Sequence, residues 1–161
     1  MKEPAVAPSV VHATFVIEKN YPYPPARVFA AFADAAQKRK WFADGHGNEV
    51  TEFAMDFREG GREVAGYRLG KETPLPGALL TNEGSYQDIV PEQRIVTASS
   101  MKLGDKRISS SLVTMEFLPT VAGTDVICTH QGAFFEGADG PQMREAGWQT
   151  LLNKLTSFLA Q

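Results

Sequence analysis

Few residues of this chain have the types that do chemistry, and their spacing argues against most uses. Cys128 is the only cysteine, and His12, His46 and His130 are the only histidines. Cys128 and His130 stand two apart in VICTHQ, so on a strand their side chains share a face, and Val126 in the same register turns that face inward. A structural zinc ion takes four such ligands. Neither His12 nor His46 has another ligand at a useful spacing, so no metal site is expected. Nor do two side chains projecting in parallel from one strand make a nucleophile and its base, which must point at each other. His130 is therefore read as a polar group in an apolar wall, hydrogen-bonded to a neighbour or to a ligand, with a satisfied core histidine as the plainer alternative. No catalytic residue is assigned.

The Gly60-Gly61 pair is no phosphate loop, because strand-like sequence follows it and no helix N-terminus supplies a dipole. Its glycines suit a hairpin that needs positive φ. Arg58 and Arg62 flank the turn and are read as surface arginines paired with Asp56, Glu59 or Glu63, with a ligand carboxylate as the rarer partner. Lys38-Arg39-Lys40 is the one basic cluster and is read as a solvated face. With 16 basic against 19 acidic residues, the net charge of -3 offers no field attractive to a phosphate backbone, so no nucleic-acid partner is expected. A lone cysteine permits no internal disulfide and makes no case for an oxidising compartment. No apolar run approaches the eighteen or so residues of a membrane span. MKEPAVAPSV is too short and Pro-rich for a signal peptide. The expected location is cytoplasmic, no cofactor is implied, and a homodimer is left open.

The aromatic and methionine residues say more. Trp41, Phe53, Met55, Tyr86, Met115, Met143 and Trp148, with several further phenylalanines, exceed what filling a sandwich of 161 residues requires. Phe53, Met55 and Phe57 alternate along one strand, and Val113, Met115 and Phe117 along another, so each set shares a face. Methionine and aromatic side chains suit a pocket that accepts apolar surface of varied shape. Most of them are ordinary core. The expected ligand-binding set is Trp41, Phe53, Met55, Tyr86, Met115, His130, Met143, Trp148 and Leu152, around a small hydrophobic molecule.

These residues need elements to hold them. QMREAGWQTLLNKLTSFLA ends the chain with Trp148, Leu151, Leu152, Leu155, Phe158 and Leu159 at helical spacing and Gln149, Asn153, Thr156 and Ser157 opposite. At the other end, residues 1–10 read as a loose arm and 11–161 as one domain, a size for which 43% apolar content supplies a core. Alternation from His12 predicts a strand ending near Asn20. Pro25 suits the first position of a helix carrying Val28, Phe29 and Phe32. Asp34 followed by Gln37 resembles a capping box opening a second short helix through Phe42. Six strands follow, at about 49–58, 62–69, 79–90, 94–102, 109–118 and 125–133, separated by Gly, Pro and Asp turns. Their connections are too short for crossover helices, so they form an antiparallel meander. The class is α+β, ordered strand, two helices, six strands, helix, with a curved sheet wrapped around the last helix.

This order and its local sequence resemble the START-like or SRPBCC superfamily, in its branch related to the activator of Hsp90 ATPase. FVIEKNYPYPPARVFAAFAD stands where that branch runs a strand into an aromatic-rich helix, and Trp41-Phe42 closes the second helix. Asp56-Phe57-Arg58-Glu59-Gly60-Gly61-Arg62 matches its hairpin, Gly84, Tyr86, Pro91, Arg94, Ile95 and Val96 a strand pair, Gly123-Thr124 through His130 a further strand, and Gly147-Trp148 the opening of the last helix. The resemblance covers about residues 14–159 and implies a helix-grip fold with a hydrophobic cavity between sheet and long helix. Members include lipid carriers, hormone receptors, polyketide cyclases and chaperone regulators, so fold alone does not fix function. The expected function is binding of a lipid, aromatic or polyketide-like molecule without catalysis. The alternatives are a cyclase or hydrolase using His130 with Tyr86, Asp88 or an arginine, and a protein-interaction module regulating a chaperone or transcription factor. The chain lacks the separate Hsp90-binding domain of the eukaryotic activators, which counts against a chaperone partner.

Overall fold

In a computed structural model, which describes residues 9–161, alternation at the start of the chain becomes strand β1 (Val11–Tyr21), with Phe15, Ile17 and Tyr21 buried on one face. The first eight residues of the expected arm lie outside the described residues. Pro25 opens helix α1 (Pro25–Ala33), which buries Val28, Phe29, Ala31 and Phe32. Asp34 ends it and caps the next helix, α2 (Ala35–Lys38), accepting a hydrogen bond from the Gln37 backbone N–H at 2.9 Å. Only that half of the capping box forms, because the Gln37 side chain accepts from the Arg27 guanidinium instead. The helix continues to Ala43 by widening into a π turn over Arg39–Ala43, which buries Trp41, Phe42 and Ala43 in succession. A regular α-helix would rotate one of three consecutive residues outward.

Six further strands follow: β2 (Glu49–Met55), β3 (Arg62–Arg68), β4 (Leu79–Val90), β5 (Arg94–Leu103), β6 (Lys106–Thr120) and β7 (Gly123–Phe134). All neighbours are antiparallel, in the spatial order β1-β7-β6-β5-β4-β3-β2. The meander thus holds β2 to β7, and β1 joins its far edge with Val11 opposite Phe134 and Tyr21 opposite Thr124. Two boundaries differ from expectation. β2 stops at Met55 rather than Arg58, because the chain turns early: the Arg58 and Gly61 N–H groups donate to Asp56 and Arg58 carbonyls at 2.9 and 2.8 Å. A Cβ on Gly61 would stand 1.9 Å from the Asp56 carbonyl oxygen, so glycine is required there. β6 runs on to Thr120 through Pro119. Its pairing with β5 ends at Glu116, so the proline lies where the strand is paired on one side only.

Helix α3 (Pro141–Leu159), about 28 Å long at 1.5 Å per residue, lies against the sheet with Leu152, Leu155 and Leu159 buried. Its position is fixed by polar ties as well as by packing. The Tyr21 hydroxyl donates to the Leu152 carbonyl at 2.8 Å, Lys154 reaches the Asp44 carbonyl, and Lys19 reaches Asn153. Between helices and sheet, aromatic rings meet edge to face, with Phe32 against Trp41 at 4.9 Å and against Phe117 at 5.2 Å, and Phe57 against Tyr86 at 4.9 Å. This curved antiparallel sheet gripping a C-terminal helix is the helix-grip fold.

Candidate functional site

Register brings the inner-facing residues of four strands into transverse rows. Glu63 of β3 lies opposite Gly84 of β4, Gly84 opposite Ser99 of β5, and Ser99 opposite Ser111 of β6. One step along, Tyr86 lies opposite Thr97, and Thr97 opposite Val113. The Gly–Ser–Ser row carries almost no side-chain bulk, and the π turn holds Trp41 and Phe42 above it. The result is an inner chamber of about 40 Å³, with walls that include Trp41, Tyr86, Met115 and Trp148. A wider cleft of about 290 Å³ opens beside it between α3 and the strands, lined by Tyr67, Leu80, Met101, Met143, Trp148 and Leu151 among others. Phe42, Asn82 and Trp148 belong to both spaces and mark where they meet. A larger groove of about 670 Å³ lies outside this interior, but Arg62, Glu83, Lys102 and Arg107 make its walls charged.

The chamber is polar at one end. Lys38 and Glu63 form an ion pair there with side chains only 11% and 13% exposed, and the Lys38 ammonium also lies 4.6 Å from the centre of the Phe42 ring. Tyr86 is 1% exposed, and among the described residues its hydroxyl makes no hydrogen bond of full geometry, the Glu63 carboxylate being the acceptor nearest to making one. Burial first, then the charge of the Glu63 carboxylate and a loose hydrogen-bonding contact with it, raise its pKa well above the ordinary tyrosine value. The Tyr86 hydroxyl therefore keeps its proton and serves as a donor. At the mouth, Arg144 donates two hydrogen bonds to Asp139 at 2.8 Å and one to the Ser109 hydroxyl at 2.9 Å, and its guanidinium stacks over Phe134.

The nine residues singled out from the sequence separate into groups. Trp41, Tyr86, Met115 and Trp148 line the inner chamber, and Met143, 61% exposed, sits on the rim of the outer cleft. Phe53 and Met55 lie on the inner face of β2, opposite Ala65 and Glu63, packed against the core beyond the chamber. Leu152 is fully buried in that core. His130 stacks on Phe15 with ring centres 4.6 Å apart and planes within 5°, and Phe134 lies on its way to the mouth at 6.1 Å. Burial, followed by the Arg144 charge, pulls the His130 pKa down to about 4. Its Nδ1 has no hydrogen-bond partner among the described residues, yet the ring borders neither space.

The polar constellation that a His130-based reaction would need is not assembled. His130 and Tyr86 share a transverse row, but Val113 and Thr97 stand between them, three strand spacings or about 14 Å. Asp88 pairs at the surface with Arg94 at 2.6 Å. Arg58 pairs with Asp56 as expected, while Arg62 pairs with Glu83. Glu63 turns inward to Lys38, which corrects the reading of Lys38 as part of a solvated face: at 8% exposure it belongs to the interior. Glu63 was legible in principle, since it alternates with Ala65 and Tyr67 and so puts a carboxylate at inward parity. Lys38 was not, because it ends α2, whose 4 residues are too few to show a periodicity. Burial also pushes the Cys128 thiol up to about 12, which leaves it a poor nucleophile. Among the described residues, no three His, Cys, Asp or Glu side chains are grouped as metal ligands, and no helix is long and apolar enough to cross a membrane.

Comparison with known proteins places this geometry. Residues 22–160 match the family described as "Activator of Hsp90 ATPase homolog 1-like protein". An uncharacterized protein of Rhizobium leguminosarum is 38% identical, with a TM-score of 0.87 over 94% of this chain and 97% of its own. A protein of Rhizobium loti is 44% identical, with a TM-score of 0.82 over 93% of this chain and 99% of its own. The solution structure of an AHSA1-like protein from Aeromonas hydrophila shares the fold at 20% identity and a TM-score of 0.66, over 92% of each chain. No curated protein matches the sequence.

Proposed function

The chain belongs to the activator of Hsp90 ATPase homolog 1-like family, whose fold is that of a ligand-binding or regulatory domain, and from that premise we propose that it binds a small hydrophobic molecule between α3 and the sheet, without catalysis. The observation that carries this reading is the cleft of about 290 Å³, walled by Tyr67, Leu80, Met101, Trp148 and Leu151 and adjoining the inner chamber, with which it shares Phe42, Asn82 and Trp148. Its volume stands at the lower end of the range for small-molecule sites, about 300 Å³ and upward. The ligand is correspondingly compact. Its apolar body occupies the outer cleft, because the chamber of about 40 Å³ takes only about two or three water-sized groups. Each 100 Å² of apolar surface covered contributes about 2.5 kcal/mol before the cost of ordering the ligand.

Gly147 supplies a test that leaves the fold in place. It sits on α3 in the cleft wall, and a Cβ built there meets nothing within 4 Å. Gly147→Leu therefore fills the cleft while replacing a poor helix former with a good one, which favours the helix by up to about 1 kcal/mol. Compounds that bind the native protein are found by native mass spectrometry of freshly purified material and by thermal shift. A ligand at a hundred times its dissociation constant stabilises by about 2.7 kcal/mol, a rise of roughly 5 to 11 °C for a chain of this size. Gly147→Leu is expected to melt no lower than the native protein and to lose that ligand-dependent rise. An unchanged rise in the variant places the ligand elsewhere, and a broad set of apolar compounds that leaves the native midpoint still removes the reading.

A further inference from the structure

Resting on that cavity reading, we infer that the inner chamber is a subsite for a single neutral oxygen, the carbonyl or hydroxyl end of a ligand whose apolar body fills the outer cleft, and that the Tyr86 hydroxyl donates the hydrogen bond that holds it. Four observations converge on this class. The Tyr86 hydroxyl is buried, borders the chamber and among the described residues makes no hydrogen bond of full geometry, and leaving a buried donor poorly met is unfavourable. Its proton stays in place, because burial and the Glu63 carboxylate both oppose its loss, and since Glu63 is already engaged by Lys38 and meets the hydroxyl only loosely, the group that completes the bond is an acceptor on the ligand. The space is sized for one functional group, since Gly84 and Ser99 face each other across β4 and β5 where larger side chains would fill it. A Cβ on Gly84 would stand 2.4 Å from the Ala98 carbonyl oxygen, so the backbone itself excludes a side chain there.

Charge completes the argument. Lys38 and Glu63 border the same chamber and satisfy each other. A carboxylate entering beside Glu63 would lose its water and meet a like charge, with no cation left to pair with it. An ammonium would meet Lys38 in the same way. Arg144 offers no remedy, because its charge is already offset by Asp139 and it lines the outer cleft rather than the chamber. Neutral oxygens, as in an alcohol, a phenol or a ketone, incur neither cost. Thr97, Ser99 and Asn82 also border the chamber and carry oxygens that can accept a hydrogen bond from a hydroxyl ligand.

Four probes sharing one ring system separate the possibilities: naphthalene, 2-naphthol, 2-naphthoate and 2-naphthylmethylammonium, titrated by NMR into the native protein and into Tyr86→Phe. The phenylalanine ring keeps the edge contact with Phe57, and the affinity of the variant for naphthalene serves as its folding control. In the native protein, 2-naphthol is expected to bind at least fivefold more tightly than naphthalene and at least tenfold more tightly than either ion. In Tyr86→Phe the advantage over naphthalene falls to within twofold while naphthalene itself binds as before. If naphthalene binds but 2-naphthol gains nothing over it, or the variant keeps the gain, the subsite is refuted and the cavity stands. Tightest binding by the carboxylate or the ammonium likewise refutes it. Failure of all four, naphthalene included, removes the cavity and the subsite together.

Discussion

Replacing either partner of the Lys38–Glu63 pair leaves the other charge stranded in the interior. Both side chains are almost wholly covered, and breaking a pair so enclosed by removing one partner costs about 3 to 5 kcal/mol. Lys38→Met, which conserves most of the volume beside Phe42, is thus expected to lose about 3 to 4 kcal/mol, and Glu63→Gln a similar amount. The double variant Lys38→Met with Glu63→Leu strands nothing and should come within about 1.5 kcal/mol of the native protein. Losses that fail to add in this way are the mark of two groups acting on each other, and the coupling drawn from the cycle should be of the same size as either single loss. Urea unfolding of the four proteins at pH 7 measures all of this. Singles that cost under about 1 kcal/mol mean that water reaches the pair and the chamber is wet to its floor.

Three further outcomes follow from single side chains. Tyr21→Phe removes the donor to the Leu152 carbonyl and should lower stability by about 0.5 to 1.5 kcal/mol, seen as a midpoint lower by a few degrees, with no effect on ligand affinity. His130, whose folded pKa of about 4 lies below an unfolded value of about 6.5, contributes stability that is complete above pH 6.5 and is lost as the pH falls toward 4. Its ring proton shifts should stay flat from pH 8 to pH 5, and His130→Leu should flatten the acid limb of the stability curve. Cys128, buried and with its pKa pushed up to about 12, should resist a thiol reagent at pH 8 in the native protein and react at once in denaturant.

What could be read from the residues alone was what short-range pattern determines. Alternation put Val126 and His130, and Val113, Met115 and Phe117, on inward faces, and each of these is buried. The terminal helix was legible to within a residue of each end, because six apolar side chains at helical spacing leave little freedom. Parity does not say which inward residue meets a cavity and which meets core. Phe53 and Met55 point inward but lie on an edge strand, one column beyond the chamber. His130 points inward too, yet β1 delivers Phe15 onto its ring, a neighbour set by pairing between the first strand and the last. Met143 falls in the first turn of α3 and overhangs the mouth instead of entering it. The chamber's polar end was missed because one half of it, Lys38, closes a helix of only 4 residues, too short to show which face turns inward.

The pairing of β1 with β7 also bears on how the domain is made. Phe15, Ile17 and Tyr21 leave the ribosome before the rest of the sheet, and the strand and helix that cover them come after it. Until Thr124, which stands opposite Tyr21, and then Leu152 have emerged, that early greasy edge has no native cover, whereas β2 through β6 can zip together in the order they appear. Synthesis of the domain therefore closes with a sealing step between its oldest and its newest parts. Such distant closure is slow, and a truncation that removes β7 and α3 leaves an unpaired strand that invites association with other chains.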